Sequence, residues 1–150
     1  MQSLSQEGTY KISSDYFAKA SALFTGGYAD EKATAAAIRD VFEQENYLMD
    51  PHTAVANKVY DDYVKETADT TKTIILSTAS PYKFGHSVYE SIFGDIPENM
   101  DDYAILEILS QKTNTEIPAP LKDLNKKTNQ HHLTCDAVSM IQCIDTFLKL

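Results

Sequence analysis

Three short stretches carry the side chains most able to do chemistry. Thr78-Ala79-Ser80-Pro81 places two small hydroxyls close together, and Asp50-Pro51-His52-Thr53 joins a carboxylate, an imidazole and a hydroxyl. His131-His132 with Cys135 has the residue types of a metal-ligand fragment. Hydroxyls just after the carboxyl end of a parallel strand can donate to an acceptor atom of a ligand. The same residues also make an ordinary tight turn. Free N–H groups at a helix start, with His52 and Thr53 in the first turn, can hold an anion. Asp50 can equally act as a plain cap, and its own charge discourages an anion. His52 has acid or base chemistry available, but no sequence-adjacent partner orients it. The histidine–cysteine group has no second ligand pair at zinc-site spacing. It reads as solvated histidines before a helix capped by Thr134 or Asp136, so no metal is expected. A Gly-rich phosphate loop, a Gly-x-Ser-x-Gly elbow and a His-Glu-x-x-His motif are all missing from the sequence.

The elements that position these groups are mainly helical. Ser13-Ser14 can cap a helix with Tyr16, Phe17, Ala20, Leu23 and Phe24 on one face, ended by Gly26-Gly27. Asp30 opens a second helix with a stripe of Ile38, Val41 and Phe42. Asp50 as N-cap and Pro51 at the first helical position open a third, with Val55, Val59, Tyr60 and Tyr63 on one side. Val88, Tyr89, Ile92 and Phe93 mark a short helix stopped by Gly94. Ile105, Leu106, Ile108 and Leu109 mark another that starts near Asp101 or Asp102. The closing helix carries Val138, Ile141, Ile144, Phe147 and Leu148, after a polar connection with room for one helical turn.

Two segments read as strands. Thr73–Ser77 is β-branched and continuously apolar, the pattern of a strand covered on both faces. Tyr47–Met49 is the second candidate, and the helix between them makes a right-handed crossover unit. The expected fold class is therefore an α/β fragment, mostly helical, with two short parallel strands and flanking helices, in a single unit over 1–150. Two short strands are too few for a stable sheet. The sheet reads as unfinished, to be completed by a partner chain or by more of the same chain, and self-association through it is expected.

The sequence has 150 residues and a formal net charge of −9, which leaves no electrostatic footprint for nucleic acid or an anionic membrane. No apolar run approaches the roughly 18 residues of a membrane span. The N-terminal residues lack the basic start and apolar stretch of a secretory signal, and two cysteines make no disulfide framework. A cytoplasmic acidic protein is expected.

The motifs also resemble a family. Tyr47-Leu48-Met49-Asp50-Pro51-His52-Thr53-Ala54-Val55-Ala56 resembles the strand-to-helix motif of threonine synthases. Ser77-Thr78-Ala79-Ser80-Pro81-Tyr82-Lys83-Phe84 resembles their second C-terminal motif, in the family's order. The resemblance covers Gly27 to Gly94 well and the tail loosely, and Ser80 stands where many members carry His. It implies a pyridoxal-phosphate enzyme of fold type II, like the tryptophan synthase β chain, that converts O-phosphohomoserine and water to threonine and phosphate. The family's Schiff-base lysine lies in a motif resembling Ser-Phe-Lys-Asp, and neither Lys11 nor Lys19 has those neighbours. The resemblance thus implies about the last third of the enzyme, with the lysine-bearing part elsewhere, no catalytic residue in this chain and no cofactor held by it alone. By the family pattern Thr78 carries the hydroxyl that meets the pyridine nitrogen. His52 and Lys83 are the candidates for substrate-side contacts. The rival reading is a helical interaction module, without an active site, that docks on a partner chain.

Overall fold

Short polar caps fix where most of the helices begin. In the computed structural model, which describes residues 2–130 and 132–149, seven α-helices run through the described residues. They are α1 Gln2–Glu7, α2 Ser14–Ser21, α3 Glu31–Glu45, α4 Pro51–Thr67, α5 Gly85–Phe93, α6 Asp102–Thr113 and α7 Met140–Leu148. The Tyr16 N–H donates to Ser13 Oγ at the start of α2. The Ala33 N–H donates to Asp30 at 2.7 Å and the Ala104 N–H to Asp101 at 2.8 Å, each taking up an N–H that the helix itself leaves without a partner. Pro51 occupies the first turn of α4, where its missing N–H costs nothing. The helices α3, α4 and α6 end in left-handed residues, Asn46, Ala68 and Asn114.

Contacts divide the chain into two compact units, Met1–Glu116 and Ile117–Leu150. In the first, α3 packs on α4 and α5, and α5 packs on α6 and on the 3-10 turn Pro81–Phe84. Ala37 and Ile38 of α3, Ala54 of α4, Tyr82 of the turn, Val88 and Tyr89 of α5, and Ile105 and Leu109 of α6 form the core, joined by Leu48 and Met49. At one end Phe42 meets Phe93 edge-on, with Tyr89 beside it. Lys112 Nζ lies 4.5 Å from the Phe93 ring centre and hydrogen-bonds the Tyr89 hydroxyl. In the second unit α7 packs on the 3-10 turn Ala137–Ser139, and another 3-10 turn spans Leu124–Lys126. Val138, expected in the closing helix, belongs to the turn that precedes it. No helix among the described residues is long and apolar enough to cross a membrane.

The two expected parallel strands are not there, and no strand occurs among the described residues. Tyr47–Met49 is apolar for a different reason: Leu48 and Met49 drop side chains into a helical core while their backbone joins no ladder. Thr73–Ser77 is mostly exposed, with Ile74 and Leu76 at 86% and 73% exposure. A β-branched run has strand propensity, but a strand exists only where a neighbour satisfies its N–H and C=O groups. The apolar faces of α2 and α7 are likewise open, since Tyr16, Phe17, Ile141 and Phe147 are all exposed.

Gly26-Gly27, expected to end α2, lies well past it, for that helix closes at Ser21. Gly27 is required by close approach instead. A Cβ there would stand 2.6 Å from Val59 Cγ1 and 3.4 Å from its Cβ, on a β-branched side chain with little room to turn. Gly27→Ala is expected to destabilise the chain by about 1–3 kcal/mol, the usual cost of overpacking. Val59→Ala placed in the same chain should recover part of that loss. Urea unfolding of the two single variants and the double variant checks this, and simple additivity would refute the contact.

The exit of α4 is held by a small polar staple. Asp69 accepts from the Thr71 N–H at 2.8 Å and from the Tyr63 hydroxyl at 2.9 Å, and the Thr67 hydroxyl donates to the Tyr63 carbonyl. Hydrogen bonds from Thr71 and then Tyr63 lower the Asp69 pKa, while the bond to Asp69 and its charge raise that of Tyr63. A carboxylate with a lowered folded pKa stabilises the staple above its unfolded value of about 3.9. That contribution is lost as pH falls through the lowered folded value. The Thr71 amide signal should therefore titrate below about pH 3.9, and Tyr63→Phe should move its midpoint upward. An NMR titration in which Tyr63→Phe leaves the midpoint unchanged would break the assignment.

Candidate functional site

The two motifs meet through their helix and turn starts. Asp50 is 1% exposed and accepts the His52 N–H at 3.0 Å, the Thr53 N–H at 3.3 Å and the Thr53 hydroxyl. These N–H groups are thus occupied by the protein's own carboxylate, which is the capping arrangement. The His52 side chain is left to face outward, and its ring packs edge-on against Phe84 with centres 5.1 Å apart. Phe84 ends the 3-10 turn that carries Lys83, so His52 and Lys83 belong to one neighbourhood.

That turn is anchored from below. The Ser80 side chain accepts the Tyr82 N–H at 3.3 Å and opens the turn. Tyr82 is buried, and its hydroxyl reaches the Thr115 carbonyl at 3.0 Å and the Thr115 hydroxyl at 2.7 Å. The Ser110 hydroxyl donates to the same carbonyl, and the Thr113 hydroxyl meets that of Thr115 at 2.7 Å. Buried polar groups satisfied in this way hold a single arrangement. The turn is thereby tied to the end of α6.

Beside it opens a cleft of about 260 Å³, lined by Lys83, Phe84, His86, Asp102 and Tyr103 among others. His86 Nε2 lies 2.8 Å from Asp102 Oδ1, and both residues line the cleft. Sequence reasoning missed this pair. The two residues are sixteen positions apart, and only the packing of α5 on α6 joins them. A larger cavity of about 450 Å³ lies between residues 25–30 and α4. It contains no residue of either motif, and its Lys58 is paired with Asp62.

Thr78 lies in the non-helical segment before Ser80. Its side chain is exposed, and its hydroxyl has no hydrogen-bond partner among the described residues. The turn is closed by Ser80, which leaves the Thr78 hydroxyl available to a ligand acceptor. Of the histidine–cysteine group, His131 lies outside the described residues, and His132 and Cys135 are exposed. No cluster of three metal-ligating residues occurs among the described residues.

Comparison with known proteins bears on this arrangement. The family described as threonine synthase, C-terminal, matches residues 53–142, which take in Thr78 and Lys83 and begin just after His52. The threonine synthase of Schizosaccharomyces pombe is 32% identical over 89 residues, 59% of this chain and 17% of that protein. That of Corynebacterium glutamicum is 32% identical over 106 residues, 67% of this chain and 21% of that protein. Among solved structures, the PLP-bound threonine synthase from Brucella melitensis is similar at 28% identity with a TM-score of 0.55, over 75% of this chain and 26% of that one. The chain spans about a fifth of the length of the curated relatives it matches. It belongs to the threonine synthase C-terminal family.

Proposed function

We propose that this chain is the C-terminal portion of a cytoplasmic, pyridoxal-phosphate-dependent threonine synthase that makes threonine and phosphate from O-phosphohomoserine and water. The observation that carries the reading is the junction of the two family motifs. His52 packs on the turn bearing Lys83, and Thr78 leads into that turn with its hydroxyl uncommitted. Pyridoxal phosphate, when bound to the complete enzyme, supplies the electron withdrawal that the reaction needs. The remainder of the enzyme is the partner that supplies the lysine and covers the exposed apolar faces.

Within that enzyme the residues of this chain hold and orient. The Thr78 hydroxyl donates to the pyridine nitrogen and, being neutral, does not favour a protonated ring as a carboxylate would. The Lys83 ammonium, on a turn anchored through Tyr82 and Thr115, presents a positive charge to an anionic substrate group. His52 borders the same turn, its ring held by Phe84.

The second reading, an interaction module without catalysis, is favoured by the open apolar faces of α2 and α7. A phosphate-release assay with pyridoxal phosphate and O-phosphohomoserine separates the two. The 150-residue chain alone should release no phosphate above background, and addition of the lysine-bearing remainder of the enzyme should restore turnover. Turnover by the chain alone would overturn the fragment reading, and no gain from the remainder would favour the interaction module.

In the complete enzyme, Thr78→Val removes one neutral hydrogen bond worth about 0.5–1.5 kcal/mol. Cofactor affinity should fall roughly 2- to 13-fold. Thr78→Asp should instead alter the cofactor's absorption spectrum, because a carboxylate favours the protonated ring. Spectra and cofactor titrations of both variants check this, and unchanged values in both would remove Thr78 from the site.

A further inference from the structure

The cleft beside the 81–84 turn carries more donors than the proposed function uses. Gly85 begins α5 so near α6 that a Cβ there would stand 2.6 Å from Leu106 Cδ2. That approach brings the next residue, His86, onto Asp102. An ionised carboxylate only accepts, so His86 Nε2 carries the proton that faces Asp102. Nδ1 is the nitrogen left over, and it donates once the ring is an imidazolium. Lys83, Ser87 and Tyr103 line the same cleft. The Lys83 ammonium and the Ser87 and Tyr103 hydroxyls have no hydrogen-bond partner among the described residues. Asp102 is the one carboxylate among the described lining residues, and His86 engages it. We propose that this cleft binds a phosphate-type oxyanion between the Lys83 ammonium and the His86 imidazolium, with the Ser87 and Tyr103 hydroxyls as further donors and Asp102 holding the His86 ring.

Charge and size select this class of ligand together. With His86 protonated, the cleft sets the cations Lys83 and His86 against the single carboxylate Asp102. Its local sign is then opposite to that of the whole chain, whose formal net charge is −9. A volume of about 260 Å³ is below the roughly 300–1,000 Å³ of pockets for drug-sized ligands, and it suits a small group. A tetrahedral oxyanion offers several acceptor oxygens to donors that come from the turn and from two helices. Hydrogen bonds from charged donors to such oxygens are about twice as strong as neutral ones. Binding and protonation reinforce each other. The Lys83 charge opposes a second cation beside it, Asp102 favours one, and the arriving anion adds to that side. His52, from α4, packs on Phe84 of the turn. The inference shares Lys83 with the proposed function and rests on that reading for its anionic ligand, but it requires neither cofactor nor turnover.

The test titrates the isotopically labelled 150-residue chain with inorganic phosphate at about pH 6, where an ordinary histidine is mostly protonated. NMR follows the His86 ring and the Ser87 and Tyr103 amides. Saturable shifts are expected, with an affinity in the roughly millimolar range that a few hydrogen bonds in an open cleft can supply. Chloride at the same ionic strength should give none of them. His86→Gln and Lys83→Gln should each weaken binding roughly 10-fold. Their amide spectra confirm that the fold is kept, and the wild-type titration stands independently of them. A parallel titration with a short alkyl phosphate monoester separates the sources: matching shifts assign the cleft to a phosphate group with its substituent outside, and shifts with inorganic phosphate alone assign it to the free ion. Shifts that chloride reproduces, shifts that never saturate, or wild-type affinity in both variants would overturn the proposal. None of these results alters the outcome of the phosphate-release assay, and a failure of that assay leaves these titrations standing, so the two readings fail separately.

Discussion

A buried carboxylate organises the junction of the two motifs. Asp50 lies between the core residues Leu48-Met49 and the first turn of α4. A carboxylate removed from water is costly unless its oxygens are paired. Here they take the His52 and Thr53 N–H groups and the Thr53 hydroxyl. Caps of this class contribute about 0.5–2 kcal/mol, and the cost of unmaking a buried one is increased by the donors left unpaired. The same bonds set geometry. They fix the angle at which the chain leaves the core for α4, and so they fix the backbone from which His52 reaches Phe84. Capping and site assembly are one interaction here.

Much of the helical frame was readable from residue types because its signals are local. Asp30, Asp50 and Asp101 each precede a helix whose first free N–H groups they accept, as the sequence suggests. The strands were misread because a short apolar run does not say what will cover it. Leu48-Met49 is covered by helices, and Thr73–Ser77 by little within this unit. Gly27 was misread in the same way, as punctuation, when its reason lies across space in Val59. At the candidate site, Thr78 and His52 stand out by residue type and position and Lys83 by motif resemblance, while the His86–Asp102 pair needs the packing of α5 on α6 to become visible. What depends on neighbours in sequence was legible, and what depends on neighbours in space was not.

The uneven distribution of apolar side chains follows from the same division. Core positions concentrate where α3, α4, α5, α6 and the 81–84 turn converge, and there Ile105, Leu109 and Val88 are completely buried. The sequence of α2 and α7 is equally amphipathic, yet their apolar faces meet water. A helix gains most of its stability in proteins by burying such a face, not by intrinsic propensity. The apolar stripes of α2 and α7 are therefore specified without being used within their own units, which accords with a chain that spans about a fifth of its curated relatives.

The turn that follows position 80 is held by groups that lie apart from one another in sequence. Ser80 uses its short oxygen to accept the Tyr82 N–H, and the rest of the turn is secured lower down, where Tyr82 is bonded to Thr115. The turn needs no imidazole to hold its form. Two imidazoles border it all the same, and each is supplied by a helix: His52 from the first turn of α4, and His86 from the first turn of α5. His52 is placed by an aromatic edge contact and His86 by a carboxylate, so neither depends on the identity of residue 80. Capping, anchoring and the placement of the neighbouring rings are thus carried by separate groups.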